Sequence, residues 1–346
     1  MLNTIYQLVR PRQFEIAFED LSLDQEHIIV RPSCLSICNA DQRYYQGKRS
    51  ADILKQKLPM ALIHEGVGRV IYDPQGQFAC GERVVVIPNT PFEQDDIVAE
   101  NYLRSSKFRG SSMNGLMQEY IQTTADRLVR VPENVNDLIA SFTEMVTVCY
   151  HAISRFDKIA HQRRDTIGVW GDGNMGYFTS LLLKIRFPES KICVFGVTDT
   201  KLSDFSFADE VYKVSEIPET LQIDHAFECV GGTASGQVIN QIIDHLNPEG
   251  TVAILGVSED YVPINTRMIL EKGLRILGTS RSGRTDFEGV IRLYRENIRL
   301  PEYLEKQISG VVEICGMKDI EKAFEMDIHK FTGKTIMVWD RNAVER

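Results

Sequence analysis

At 346 residues, with 43% hydrophobic and 25% charged residues, the chain has the balance of a globular protein with room for two domains. Its net charge of −9 disfavours non-specific binding to nucleic acid or to an anionic membrane, so an anionic ligand needs a local cluster of basic residues. No run approaches the roughly 18 apolar residues of a membrane span, the start MLNTIYQLVRPRQF lacks a secretory-signal pattern, and seven scattered cysteines make no oxidised framework. These features predict a cytoplasmic chain with neither a nucleic-acid nor a membrane partner.

Residues 1–135 are rich in short β-like runs between Gly, Pro and Asp, among them HIIVRP, GVGRVIYD, GERVVVIP and RLVRVPE. They predict a barrel-like β unit, interrupted over residues 88–115 by a stretch without periodicity. A loop that long inside a folded unit is more often functional than idle. From residue 138, LIASFTEMVTVCYHAISRF has helical spacing and apolar residues on most faces, which predicts one buried helix. After residue 165 strands and helices alternate, from DTIGVWG through KICVFGV, DEVYKV, DHAFECVG and GTVAILGV to GLRILGTS. Alternation of this kind makes an α/β unit, a parallel sheet with helices on both faces. Short helical segments and a last strand, GKTIMVWD, close the chain.

The strand–helix junction VWGDGNMG carries Gly171, Gly173 and Gly176 in GxGxxG spacing, with Asn174 and Met175 between the second and third. A tight turn, close backbone approach to a pyrophosphate and close helix–strand packing each require one of these glycines. The helix N-terminus then offers free N–H groups to the phosphates. An NAD-binding strand ends about 20 residues later on an acid that holds the ribose hydroxyls. Here it ends on Gly196, with Thr198 and Lys201 placed to hold a 2′-phosphate, which favours NADPH. Asp199 is the counter-observation, since a small shift of register restores an acid.

Cys38 has no partner at CxxC spacing. His64 and Glu65 are adjacent in LIHEGVG, and Glu144 sits in the apolar helix, where an unpaired charge is costly. Thiolate, imidazole and carboxylate are the ligand set of a catalytic Zn²⁺ with one position open. Taken singly, Cys38 reads equally well as an inert core thiol and Glu144 as a buried ion-pair partner.

The order SICNAD, then HEGVG, then a Glu in a helix before GxGxxG, together with AFECVGG, GTVAILGV and LGTSRSGR, resembles the zinc-dependent medium-chain dehydrogenase/reductase family along essentially the whole chain. The resemblance implies a GroES-like catalytic domain over residues 1–147, completed by 286–346, around a Rossmann domain over 148–285. It implies Cys38, His64 and Glu144 as zinc ligands, with Glu65 as an alternative ligand or the group that activates zinc-bound water. Asp41 then steadies the metal site from behind. Two departures stand out. The four-cysteine structural zinc lobe of many members has no counterpart, because no cysteine lies between Cys80 and Cys149, so one catalytic zinc and no structural zinc are expected. The hydroxyl residue that relays the proton in the family is Ala40 here, leaving Tyr44, Glu65 or solvent as the route.

In the irregular stretch, Arg104, Lys107 and Arg109 fall close together before Ser111 and Ser112, a donor set suited to a phosphate monoester or simply to a solvated loop. The segments SICNADQRYYQG, LPMALIHEGVG, VIPNTPFEQDDIVAENYL, SSKFR and WGDGNMGY are together similar to the ribulose-5-phosphate reductases within that family. The similarity implies reduction of a sugar phosphate to ribitol 5-phosphate for CDP-ribitol and cell-wall or capsular polymer synthesis, a homodimer, and functional coupling to a ribitol-5-phosphate cytidylyltransferase. The alternatives are an NAD-dependent polyol dehydrogenase and a non-catalytic nucleotide-binding protein.

Overall fold

The computed structural model of the chain describes residues 1–340. It divides into two compact units, Met1–Thr147 with the chain from Ser282, and Val148–Arg281.

The first unit is built on a seven-stranded sheet. Its path runs Leu128–Arg130, Arg83–Val86, Glu65–Tyr72, Ile28–Ser36, Lys334–Val338 and Ile308–Glu313, with Ile121–Thr123 also paired to Ile28–Ser36. The C-terminal strand therefore lies beside an N-terminal one, with Ile336 opposite Ser36 and Val338 opposite Cys34. This antiparallel pairing delivers Lys334 to the neighbourhood of the segment that follows Ser36. A smaller sheet of Leu2–Arg10, Gln13–Asp20 and Met60–Ala61 completes the β framework.

These largely buried strands, the segments between them and the helix Met317–His329 share one core containing Leu35, Ile37, Leu62, Ile63, Phe324 and Met337. Within it Tyr45 stacks on Phe14, with ring centroids 5.7 Å apart, and lies 4.7 Å from Phe324. The helix Asn39–Tyr45 is thereby clamped between the N-terminal hairpin and the helix Met317–His329.

The irregular stretch forms a small lobe, with strand Asn89–Thr90 paired to Lys107–Phe108. An ion pair holds it to the sheet. Arg127, buried, extends Nη1 and Nη2 to the two carboxylate oxygens of Glu100 at 2.9 and 3.2 Å, and Nη1 also donates to the Asn89 carbonyl. Two-pronged guanidinium–carboxylate contacts are the strongest of their kind and fix orientation as well as distance.

The helix expected from residue 138 is two helices, Asp137–Ala140 and Thr143–Ile159. At the break the Ser141 hydroxyl donates to the Leu138 carbonyl at 2.7 Å, offering the backbone a local partner in place of the helical one. The segment after Ile37, read without any secondary structure, is the helix Asn39–Tyr45.

The second unit is a six-stranded parallel sheet. Numbered along the chain from Thr166–Trp170, its strands lie in the order third, second, first, fourth, fifth, sixth. This is the doubly wound order that places a crevice at the carboxyl ends of the first and fourth strands. Trp170 and Phe195 stack at 3.8 Å and Phe195 on Tyr212 at 5.5 Å, so the first three strands share an aromatic spine.

Candidate active site

Strand Ile28–Ser36 ends two residues before Cys38, which caps the helix Asn39–Tyr45. Asp41, three residues into that cap, does two tasks with one buried carboxylate. Oδ2 accepts the Cys38 amide at 3.1 Å and Oδ1 accepts the Ile63 amide at 2.9 Å. The first fixes the cap and the second ties the cap to the segment carrying His64. Ile63 itself has φ of +70°, a left-handed conformation that a β-branched residue adopts only under constraint. Strain of this kind costs about 1–3 kcal/mol and persists where the surroundings over-determine it. Here the Asp41 bond to the Ile63 N–H and the Leu116 N–H donated to the Ile63 carbonyl, at 2.7 Å, provide that constraint.

The outcome is a cluster. One ligand atom each of Cys38, His64 and Glu65 lie within 4.8 Å of one another. Glu144 is adjacent, its Oε2 4.0 Å from His64 Nε2, and Asp41 Oδ1 is 3.7 Å from His64 Nδ1. Glu65 is fully buried, and its Oε1 accepts Lys334 Nζ at 2.9 Å. Its Oε2 stands 2.8 Å from the same ammonium and makes no hydrogen bond of its own among the described residues. Buried polar atoms are ordinarily satisfied, and an exception calls for a missing partner.

Acidic groups are gathered tightly around the cluster. Asp41, Glu65 and Glu144 are buried together with the Cys38 thiol beside them. The described residues set the ammonium of Lys334 against them, while the nearby Lys330 is taken by Asp327. Burial pushes the Glu144 carboxyl above its usual range, with His64 opposing. Burial acts against a charged His64, yet the charges of Asp41 and Cys38 overcome it and lift its pKa well above the ordinary value. A soft thiolate, an imidazole and hard carboxylates gathered within a few ångströms are a donor set that fits Zn²⁺.

The other expected participants are placed differently. Tyr44 is buried in the core of the first unit, with the Arg49 guanidinium 5.1 Å from its ring centroid, and no hydrogen bond joins it to the cluster among the described residues. Arg104, Lys107 and Arg109 are not brought together. Arg104 and Lys107 are exposed, the latter with its ammonium 5.5 Å from the Phe92 ring, whereas Arg109 is buried and donates Nη2 to the Gln122 carbonyl at 2.7 Å. Burial alone lowers the Arg109 pKa to about 10. Neighbouring strand residues face opposite ways, and it is Phe108 that reaches the cluster, its ring 5.4 Å from His64. The stretch thus gives the site an aromatic wall.

In the second unit, strand Thr166–Trp170 runs into Gly171, whose φ of +132° excludes most side chains. A Cβ on Gly176 would lie 1.9 Å from the Gly171 carbonyl oxygen, so helix Asn174–Arg186 sits as close to the strand as a glycine permits. A Cβ on Gly173 would meet nothing within 4 Å, leaving its backbone face open to a ligand. Asn174 and Met175 form the first turn of the helix, half-buried, and the Met175 carbonyl accepts the Cys149 thiol. Replacing Gly176 with Ala is expected to push the helix off the strand, weakening NADPH binding at least about tenfold and costing about 1–3 kcal/mol of stability. Fluorescence titration of the cofactor checks the first and urea unfolding the second; wild-type affinity would remove Gly176 from the cofactor site.

Strand Lys191–Gly196 ends where Asp172 arrives from the glycine turn. Asp172 Oδ2 accepts the amides of Val197 and Thr198 at 2.9 and 3.0 Å, and a Cβ on Gly196 would meet the Asp172 side chain at 2.7 Å. Sequence reading passed over Asp172, although its place between Gly171 and Gly173 marks it as the side chain nearest the next strand. Lys201 lies half-buried in the short helix that follows. Asp199 is drawn to Lys213, 2.7 Å away.

Residues 24–133 match the alcohol dehydrogenase GroES-like domain and residues 193–296 match the zinc-binding dehydrogenase domain. Fold and site together define a zinc-type medium-chain dehydrogenase/reductase. The ribulose-5-phosphate reductase of Bacillus spizizenii is 49% identical over 340 residues, covering 98% of this chain and 100% of the relative. Ribulose-5-phosphate reductase 1 of Staphylococcus aureus is 51% identical over 342 residues, covering 98% and 99%. The crystal structure of S. aureus TarJ in complex with NADPH superposes with a TM-score of 0.89 at 46% identity, covering 98% of this chain and 100% of that one. The chain belongs to the ribulose-5-phosphate reductase family.

Proposed function

We propose that the chain reduces D-ribulose 5-phosphate to D-ribitol 5-phosphate with NADPH, at one zinc site built from Cys38, His64 and Glu65 with Glu144 alongside. The observation that carries the reading is the buried cluster of Cys38, His64 and Glu65 in a chain about half identical to ribulose-5-phosphate reductases over its full length. When bound, zinc supplies Lewis acidity to a carbonyl oxygen and NADPH supplies the hydride.

The protein's own residues do the rest. Asp41 fixes the Cys38 and His64 segments against each other, and Lys334 orients Glu65. Phe108 walls the His64 side against water. Ala40 has no proton to give, Tyr44 has no hydrogen bond to the cluster among the described residues, and Glu65 is taken by Lys334, so solvent remains as the proton route. The glycine turn 171–176 receives the pyrophosphate on the helix N-terminus. Diversion of Asp199 to Lys213 removes the acid that would repel a 2′-phosphate, leaving the surroundings of Gly196, Thr198 and Lys201 suited to NADPH. The pinning of the lobe by Glu100 and Arg127, with no cysteine between Cys80 and Cys149, supports the absence of a structural zinc.

A homodimer is supported by the outermost strand of the second unit, Arg275–Gly278, which leaves one edge unpaired, with Val257, Tyr261 and Leu270 exposed. The product is the substrate class a ribitol-5-phosphate cytidylyltransferase consumes, which supports functional coupling to such an enzyme. No helix among the described residues is long and apolar enough to cross a membrane.

The test is steady-state oxidation of NADPH and NADH with D-ribulose 5-phosphate and with unphosphorylated D-ribulose. NADPH with the phosphorylated ketose should give a kcat/KM at least about tenfold above the other pairings, a margin of roughly 1.4 kcal/mol. Equal rates with D-ribulose would reduce the assignment to a polyol dehydrogenase.

A further inference from the structure

A concave site apart from the metal cluster lies in the first unit. A cavity of about 330 Å³ is bounded by helix Arg284–Glu296 on one side and strand Leu128–Arg130 on the other. None of its lining residues belongs to the metal cluster. Phe78, Leu128 and Ile291 give it an apolar floor, all three buried.

The walls are basic. On the helix, Arg284, Glu288, Arg292 and Arg295 recur at intervals of four, four and three residues, which puts them in one stripe along the cavity. Arg284 and Glu288 neutralise each other at 2.8 Å, and Arg284 also donates to the carbonyls of Ala125 and Leu128. Across the cavity, Arg130 pairs with Glu82 and lies 4.4 Å over the Phe78 ring. Arg292 and Arg295 are different. They line the cavity, yet neither has a hydrogen bond or ion pair among the described residues. Two like charges at this spacing on a helix repel. Among the described residues, Glu288, the one carboxylate lining the cavity, is taken by Arg284.

We propose that this cavity binds an organic phosphate, with its phosphate groups in the guanidinium forks of Arg292 and Arg295 and its carbon skeleton on the Phe78–Leu128–Ile291 floor. Guanidinium planes match phosphate oxygens two at a time, which a diffuse salt-screened patch does not. The volume lies at the lower end of small-molecule sites, about 300–1,000 Å³. An apolar floor under a basic wall selects a phosphate ester over a bare ion.

Isothermal titration calorimetry on the zinc-loaded enzyme, saturated with NADPH to occupy the nucleotide unit, provides the test. Uridine diphosphate and inorganic diphosphate serve as probes at low salt. The expected result is uridine diphosphate binding tighter than inorganic diphosphate, with the R292A/R295A variant at least about tenfold weaker for the nucleotide. Both side chains are exposed, so the variant should keep the wild-type unfolding midpoint and kcat with D-ribulose 5-phosphate. No heat from uridine diphosphate, or equal affinity in wild type and variant, would overturn the site. Equal affinity for the two probes would overturn its assignment to an organic phosphate. Neither outcome touches the reductase activity, which is read separately in the same preparations.

Discussion

Lys334→Met is expected to destabilise the metal-free protein by about 3–5 kcal/mol, the usual consequence of removing one partner from a buried ion pair. Lys334 and Glu65 are 1% and 0% exposed as side chains, and the ammonium lies within 2.9 Å of both carboxylate oxygens. Burial alone would lower the Lys334 pKa, but the Glu65 charge reverses that and holds it at about 12, so the ammonium is fully charged at neutral pH. Methionine keeps the length and the packing while deleting the charge, which leaves Glu65 buried opposite nothing. Two further measurements separate this cause from general damage to the core. In the zinc-loaded protein the midpoint shift should be smaller, because a dication on Cys38, His64 and Glu65 answers the same carboxylate. The double variant Glu65→Gln with Lys334→Met should recover much of the loss, since neither buried charge then remains. A wild-type urea midpoint for Lys334→Met, or a double variant no better than the single, would show that the pair does not hold the site together.

That pair also marks where reading along the chain stops. Glu65 and Lys334 are 269 residues apart, and they meet because strand Ile28–Ser36 pairs with Lys334–Val338 on one side and with Glu65–Tyr72 on the other. Periodicity is a local signal and carries no information about such a meeting. The glycine turn was legible for the opposite reason, because strand, GxGxxG and helix are contiguous and each glycine answers a steric demand at its own position. The cluster of Cys38, His64 and Glu65 lay between these cases: residue types and resemblance suggested it, and distances had to bring it together. Helix Asn39–Tyr45 was missed because it is only about two turns long, with a cysteine rather than Ser, Thr, Asp or Asn at its cap. Asp41 at the third helical position was the available clue, as an acid there is half of a capping box. Arg109 was misjudged because composition places a guanidinium in solvent, while the strand beginning at Lys107 turns Phe108 to His64 and Arg109 to the Gln122 carbonyl.

Cys38→Ser should lower kcat/KM for the ketose phosphate by about a thousandfold or more, equivalent to roughly 4 kcal/mol of transition-state stabilisation. A hydroxyl at this position is harder and far less acidic than a thiol, so it neither deprotonates readily nor suits zinc beside an imidazole. Metal content is the sharper readout, because it is independent of turnover. Wild-type protein should hold one zinc per chain and the variant well below one. A variant that lost activity yet kept one zinc would show that His64, Glu65 and Glu144 hold the metal without Cys38 and would remove Cys38 from the ligand set. Cys80→Ser is the control, since that thiol is exposed and outside the cluster, and it should change neither zinc content nor rate. Chelation of wild-type protein should reproduce the Cys38→Ser rate, with activity returning on added zinc. Full ketose reduction in zinc-free protein would leave Cys38 as a helix cap and transfer the burden of activating the carbonyl to the carboxylates and Lys334.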